Sequence, residues 1–176
     1  FMEQRSPGHT VLGGKIYHKG FLEFKRDIQT SLEALDYLSD PDAYAKQEEL
    51  RAMLVCADAL IHFAQRHARE AEEQASVEPD PQRQAELERI AEVCSHVPAH
   101  APRDFWEALQ YYWFVHLGVT IELNPWDAFC PGKLDQHLLP FYTDGLQAGT
   151  LTAELATELL QCFWIKFNNQ PAPPKV

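Results

Sequence analysis

The chain has 176 residues, a net charge of −11 and 45% hydrophobic residues, which fits a folded globular domain and not a disordered segment. The acidic balance offers no basic stripe that could neutralise phosphates, and this argues against a nucleic-acid partner. No apolar run reaches the ~18–20 residues that a membrane-spanning helix needs.

The pattern along the chain is mainly helical. The first twenty residues hold Pro7, Gly8, Gly13, Gly14 and Gly20 and are typical of a loop, with room for a short strand at 9–12. Beyond them, apolar residues recur at steps of three and four, as in amphipathic helices. This spacing predicts helices at about 21–38, 41–75, 83–95, from 102–104 through Leu117, 133–147 and 152–167.

Several local signals refine these elements. Asp40 followed by Pro41 suits the start of the second helix, and Thr152 suits a cap on the last one. Pro140 predicts a kink inside the fifth helix. The apolar stretch 119–123, VTIEL, predicts a strand. The expected fold of the chain is therefore mostly α with one or two short strands.

The turn in RSPGHT is a first candidate for function. Pro7-Gly8 forces a tight turn, His9 follows it, and Arg5 lies four residues before His9. A cation and an imidazole presented in this way could bind a carboxylate or move a proton. On the pattern alone, a structural turn with a buried, hydrogen-bonded histidine is the favoured alternative.

The loop LNPWDAFCPG is a second candidate. Asn124-Pro125 opens a turn and Pro131-Gly132 closes it. Between them, Trp126 offers an apolar wall, and Asp127 beside this wall would need a charged or hydrogen-bonding partner. Cys130 could be a nucleophile, but no base for it stands nearby in the sequence.

The cysteines and nearby histidines give weaker signals. The four cysteines are scattered without a C-x-x-C pair, and no signal peptide is visible, which predicts a reducing, cytoplasmic setting. Cys94, His96 and His100 lie within seven residues, but a structural zinc site needs four ligands and no second pair is evident. Capping and loop hydrogen bonds are the expected use of these residues, and no metal is predicted.

Four long motifs carry a family resemblance over nearly the whole chain, in order. They are EQRSPGHTVLGGKIYHKGFLEFKRDI, VPAHAPRDFWEALQYYWFVHL, ELNPWDAFCPGKLDQHLLPFY and LLQCFWIKFNNQPAPPKV. Together they resemble the pyruvate formate-lyase-like glycyl radical enzymes. The resemblance implies a ten-stranded α/β barrel for the whole enzyme, a homodimer as its assembly, and a glycyl radical installed by an S-adenosylmethionine/iron–sulfur activating enzyme. A thiyl radical on a barrel cysteine then abstracts a substrate hydrogen.

Within the family, the SPGH turn and the WD loop resemble most closely the branch that dehydrates trans-4-hydroxy-L-proline. The branch that releases sulfite from isethionate comes next, and the diol dehydratases are more distant. The resemblance implies that Phe1, His9 and Asp127 bind substrate, with Trp126 and Arg5 as weaker candidates. Asp127 would pair with the substrate ammonium or with His9, and His9 would bind a carboxylate or the leaving hydroxyl.

The chain also departs from the family pattern. It contains neither a GCVE-like cysteine loop nor an RVAGY-like glycyl loop, and none of its cysteines has the expected surroundings. Cys162, among apolar neighbours, is expected in the core. Residues 1–176 are therefore expected to be an internal fragment that carries part of a substrate pocket, has no catalytic residue and is inactive by itself. The alternative is a non-catalytic helical interaction module.

Overall fold

A computed structural model of the chain describes residues 12–122 and 131–169. Within these ranges the backbone forms one short 3₁₀ turn and six α-helices. The elements are the turn Lys15–Tyr17, α1 Phe21–Glu33, α2 Ala43–Val77, α3 Pro81–His96, α4 Phe105–Glu122, α5 Leu134–Ala148 and α6 Ala153–Asn169. They belong to two compact units: the second unit is residues 19–101, and the first unit comprises residues 1–18 and 102–176.

The prediction of one or two short strands is wrong for the described residues, which contain no strand. The stretch 119–122 continues α4 as helix, although Val119 and the two residues after it are β-branched. Strand preference is outweighed here because extending an existing helix adds a hydrogen bond per residue without a new nucleation cost. Of the other predicted strand, 9–12, only Leu12 is described, and it lies in a bend.

In the second unit, α2 packs against both α1 and α3. Small residues recur along one side of α2 at alternating steps of four and three, which lets a neighbouring helix approach closely. The buried residues of this seam are Ala57, Ile61, Ala64, Ala68, Ala71 and Ala75. In the charged stretch 67–74, the alanines extend the buried seam while the charged side chains stay exposed.

The start of α1 rests on the backbone that follows α3. The amides of Phe21 and Leu22 donate to the carbonyls of Pro98 and Ala99, at 2.8 and 3.0 Å. These bonds satisfy amides that a helix start leaves without intrahelical partners. Gly20 makes the approach possible, since a Cβ atom there would lie 2.3 Å from the Ala99 carbonyl oxygen.

The link between α1 and α2 differs from its prediction. α1 ends at Glu33 and not near residue 38, because the Asp36 carboxylate accepts from the amides of Leu38 and Ser39 and offers the backbone an alternative to the helix. α2 begins at Ala43, so Asp40 is not its cap. Asp40 instead accepts from the Asp42 amide at 3.0 Å.

In the first unit, α4 is buried on almost all sides, which is typical of a central helix. Its aromatic face is deeply buried, and the burial extends around the helix to Tyr111, Phe114 and Val115. Both α5 and α6 pack against α4. Pro140 lies inside α5, which continues past it, and the Thr152 hydroxyl accepts from the Leu155 amide at 3.1 Å, as predicted for the start of α6.

Among the described helices, none combines the length and the apolar character required to cross a membrane.

Candidate functional site

The residues that the family resemblance assigns to the substrate pocket lie outside the described residues. They are Phe1, Arg5, His9, Trp126 and Asp127. Their roles therefore remain predictions. The described backbone begins three residues after His9, and it resumes at residue 131, four residues after Asp127, so it contains the segments that follow both candidate loops in the chain.

The segment after the first candidate loop makes a sharp reversal. Leu12 and Gly13 have φ angles of 58° and 55°, so two consecutive residues adopt the left-handed conformation. For the leucine this conformation costs about 1–2 kcal/mol. The Lys15 amide donates to the Leu12 carbonyl at 3.2 Å and leads into the 3₁₀ turn. The chain therefore forms a defined turn shortly after the segment that contains His9.

The segment after the second candidate loop contains a glycine with a positive φ. Gly132 has a φ of 63°, a conformation that glycine adopts at little cost. α5 begins two residues later at Leu134, whose side chain is buried in the first unit. A positive-φ glycine and then a packed helix start therefore follow the WD loop in the chain.

An aromatic stack joins these two segments within the first unit. The ring of Tyr17 lies over the ring of His137, with centroids 4.9 Å apart and planes inclined by 20°. Phe141, one turn further along α5, approaches Tyr17 with its centroid at 6.3 Å. Gly14 lies against the same histidine, since a Cβ atom there would be 3.1 Å from His137 Cε1.

Tyr17 is buried, and its hydroxyl has no hydrogen-bond partner among the residues that the structure describes. Burial raises the pKa of Tyr17 above its usual value, because desolvation disfavours the charged phenolate. Neither Tyr17 nor His137 was singled out from the sequence. A signal was available in the Gly13-Gly14 pair beside an aromatic residue, but its partner lies 120 positions away.

A cavity of about 450 Å³ adjoins the stack in the first unit. Charged and aromatic side chains share its wall. They include Tyr17, Arg103, Asp104, His137, Phe141 and Asp144. Arg103 is engaged by Glu107 through its guanidinium, so its charge is already countered. A larger cavity of about 660 Å³ lies in the second unit, where Lys25 and Asp58 form an ion pair across it.

The segment with Cys94, His96 and His100 has a structural role. Cys94 is buried, which raises the pKa of its thiol to about 11. A ring nitrogen of His96 lies 3.0 Å from the Ala101 carbonyl oxygen, and its ring stacks on His100 with centroids 5.1 Å apart. The predicted loop hydrogen bonding is confirmed. Within the described part of the chain, no three potential metal ligands come together.

The described cysteines divide by exposure. Cys56 and Cys162 are exposed, and Cys94 is buried. The prediction that Cys162 belongs to the core is wrong in this structure, because the next residue, Phe163, takes the inward position on α6 with 6% of its surface exposed. Cys130 lies outside the described residues.

The chain is similar over its full length to trans-4-hydroxy-L-proline dehydratase of Clostridioides difficile, with 54% identity over 176 residues, which are 22% of that protein. It is 41% identical to isethionate sulfite-lyase of Desulfovibrio desulfuricans over 151 residues, or 86% of this chain and 18% of the relative. A crystal structure of the Clostridioides difficile hydroxyproline dehydratase with trans-4-hydroxy-L-proline bound matches with a TM-score of 0.93 and 55% identity, covering all of this chain and 22% of that one.

The chain thus spans about a fifth of the length of the relatives that it matches. The sequence motifs, the full-length identity and the structural match all point to one family. The model of the family described as pyruvate formate lyase-like matches residues 1–176, the whole of the sequence. On this evidence the chain belongs to the pyruvate formate lyase-like family.

Proposed function

We propose that residues 1–176 are an internal part of a pyruvate formate-lyase-like domain and form part of the substrate pocket of a glycyl radical lyase that eliminates water from trans-4-hydroxy-L-proline. The observation that carries this proposal is the 54% identity to trans-4-hydroxy-L-proline dehydratase over every residue of the chain. The match to a substrate-bound crystal structure of hydroxyproline dehydratase supports it. The 41% identity to isethionate sulfite-lyase is lower and covers less of the chain.

The candidate residues fit the chemistry of this substrate. Trans-4-hydroxy-L-proline carries a carboxylate, a secondary ammonium and a hydroxyl leaving group. Asp127 is suited to pair with the ammonium or with His9, and Arg5 is a cation that a carboxylate would attract. His9 can donate a hydrogen bond to the carboxylate or to the leaving hydroxyl. The two assignments for His9 are alternatives that substitution can separate.

Phe1 and Trp126 would supply apolar walls that keep water away from a reactive intermediate. A glycyl radical, installed by an S-adenosylmethionine/iron–sulfur activating enzyme, would supply the hydrogen abstraction that begins the elimination. No residue of this chain matches the radical cysteine or glycine of the family, so its part in the reaction is to bind and orient the substrate. We further propose a cytoplasmic homodimer as the working form of the whole enzyme.

The full-length protein, activated anaerobically by its activating enzyme, provides the test. Loss of water from trans-4-hydroxy-L-proline gives 1-pyrroline-5-carboxylate, which can be measured directly. Formation of this product is the expected result. Release of sulfite from isethionate without dehydration of hydroxyproline would assign the protein to the C–S lyase branch instead. Turnover of neither compound by a protein with confirmed radical content would contradict both assignments and favour another glycyl radical lyase, such as a diol dehydratase.

A further inference from the structure

One side of α2 is left uncovered by its neighbours in the second unit. α1 and α3 pack against α2, and its buried seam includes Ala57. Val55 lies two positions earlier, hence on the other side of the helix, and keeps 68% of its surface exposed. Exposed residues recur on that side at alternating steps of four and three. We name this row the outer face of α2, and its members are Glu48, Ala52, Val55, Ala59, His62 and Arg66.

The outer face has the spacing of a helix-packing surface. Alternating steps of four and three are the pattern by which two α-helices pack along their length. Alanine at positions 52 and 59 lets a second helix approach closely, at the axial separation of about 8–10 Å that packed helices show. Between the charged ends of the row stand no lysine, arginine or carboxylate. Single exposed apolar residues are ordinary on a protein surface, but a continuous row on one side of a long helix is not.

The order of the charges points to a second copy of the same chain as the occupant of this face. The row begins at Glu48 and ends at Arg66. In an antiparallel pair of identical helices, a twofold axis at the midpoint of the row sets Glu48 opposite the partner's Arg66. The same symmetry sets Val55 opposite the partner's Ala59, and each contact occurs twice. A parallel pair would instead oppose like charges at both ends.

The two charged ends are available for this contact. Arg66 is exposed, and none of the described residues forms an ion pair with it. Glu48 pairs with Arg51 at 3.0 Å, but both side chains are mostly exposed, so this pair contributes little and can accept a further cation. The uncharged middle of the row would supply affinity, and the end charges would fix the antiparallel orientation and the register.

We propose that the outer face of α2 is a contact between the two subunits of the full-length protein, formed by antiparallel packing of α2 on its own copy. The inference rests on the proposed homodimer and names a surface for it. It does not depend on which substrate the enzyme takes.

The first experiment measures the dimer dissociation constant of the full-length, non-activated protein by sedimentation over a dilution series. Val55→Glu places a carboxylate in the middle of the seam, twice per dimer, and should raise this constant at least about a hundredfold. The subunit itself should fold normally, because the Val55 side chain is exposed within it. Met53→Glu is the matched control, since Met53 is 52% exposed on the same helix but lies off the outer face. It should stay within about twofold of the wild type.

The second experiment tests the register by exchanging the end charges. Glu48→Arg and Arg66→Glu each bring like charges together, and each should raise the dimer dissociation constant about tenfold. The combined variant Glu48→Arg/Arg66→Glu restores opposite charges at both ends and should return to within about threefold of the wild type. A general loss of stability would not be rescued in this way.

The third experiment uses a cysteine beside the outer face. Cys56 is exposed, follows Val55 directly and lies one position from the proposed axis at position 57. A short bismaleimide should therefore link Cys56 of one subunit to Cys56 of the other. A peptide joined to its own copy can come only from two chains, so mass spectrometry identifies the link. Cys56→Ser should abolish it, and Val55→Glu should reduce it strongly.

The outcomes separate this contact from the proposed homodimer. A monomeric wild type would contradict the homodimer and this contact together. A dimer whose dissociation constant is unchanged by Val55→Glu would overturn the contact and leave the homodimer standing. An unchanged dimer with a lower melting temperature in Val55→Glu would show that another segment of the same polypeptide covers this face. Additive losses in the double charge variant, or no link at Cys56, would reject the antiparallel packing.

Discussion

The buried carboxylate of Glu107 is held by both the backbone and the side chain of Arg103. The Arg103 amide donates to Glu107 Oε2 at 2.6 Å, and its Nε donates to Oε1 at 2.9 Å. Glu107 is fully buried, while half of the Arg103 side chain is exposed. The Asp104 carboxylate in turn accepts from the Glu107 amide at 2.9 Å. These bonds lock the first turn of α4, the central helix of the first unit.

Arg103→Ala should destabilise the start of α4 substantially. The substitution removes the guanidinium, so that of this pair only the backbone amide of residue 103 still donates to the buried Glu107 carboxylate. Breaking a buried ion pair costs about 3–5 kcal/mol. Because the guanidinium is half exposed and partly screened, we expect about 2–3 kcal/mol. Hydrogen exchange of α4 amides in the full-length protein measures this loss. Arg83→Ala removes the exposed Arg83–Glu86 pair and should cost less than about 1 kcal/mol. Equal losses of stability in Arg103→Ala and Arg83→Ala would show that the burial of Glu107 does not strengthen its ion pair.

Gly20→Ala should be poorly tolerated. The new Cβ atom would lie 2.3 Å from both the Ala99 carbonyl oxygen and the His100 Cα, and backbone atoms cannot yield as a flexible side chain does. We expect a loss of at least about 2 kcal/mol, seen as a lower melting temperature of the full-length protein. Gly149→Ala is the control, because its φ of 70° is strained for alanine but its surroundings are open. It should cost only about 1 kcal/mol. A smaller loss for Gly20→Ala than for Gly149→Ala would refute the steric argument.

His116 should make stability depend on pH. It is buried between Trp113 and Phe167, with the Tyr112 hydroxyl 3.4 Å from its Nδ1, and burial lowers its pKa. The unfolded chain then binds the proton more readily, so stability falls as pH drops below the unfolded value of about 6.5. His116→Phe keeps a ring and removes the titrating group. As the pH falls from 7 to 5, the free energy of unfolding of this variant should therefore rise relative to that of the wild type, and urea unfolding measures this difference.

The control for this pH effect is Phe163→Leu. Phe163 packs in the same aromatic cluster, against Tyr112 and Trp113, and it has no ionisable group. The stability that Phe163→Leu loses relative to the wild type should be similar at each pH. A difference between His116→Phe and the wild type that stays constant from pH 7 to pH 5 would contradict the linkage.

Asp127→Asn should impair the proposed reaction severely. The substitution keeps the size of the side chain and removes the charge that we assign to the ammonium of the substrate or to His9. A lost ionic partner in a desolvated pocket costs about 3–5 kcal/mol, so kcat/KM for hydroxyproline should fall at least about a hundredfold. Asp135→Asn alters an exposed carboxylate in the first turn of α5 and should stay within about twofold of wild type. Normal turnover by Asp127→Asn would remove this residue from the pocket.

Local sequence signals predicted most of the helical framework. Apolar residues at steps of three and four depend only on helix geometry, so the six helices were found, with ends within a few residues except at the ends of α1 and α4. The exceptions came from competition between local interactions. Asp36 bonds its own neighbours and ends α1 early, while α4 extends through a β-branched stretch because the helix is already formed.

The family and the candidate pocket residues also follow from the sequence, since the motifs are long and stand in the family order. Contacts between distant positions were decided only by the tertiary structure. The Tyr17–His137 stack joins residues 120 positions apart, and the clearance at Gly20 depends on a backbone eighty positions away. A sequence pattern reports which side of a helix is apolar. Which ring lies against which, and which of Cys162 and Phe163 turns inward, depends on the neighbour that folding brings to that side.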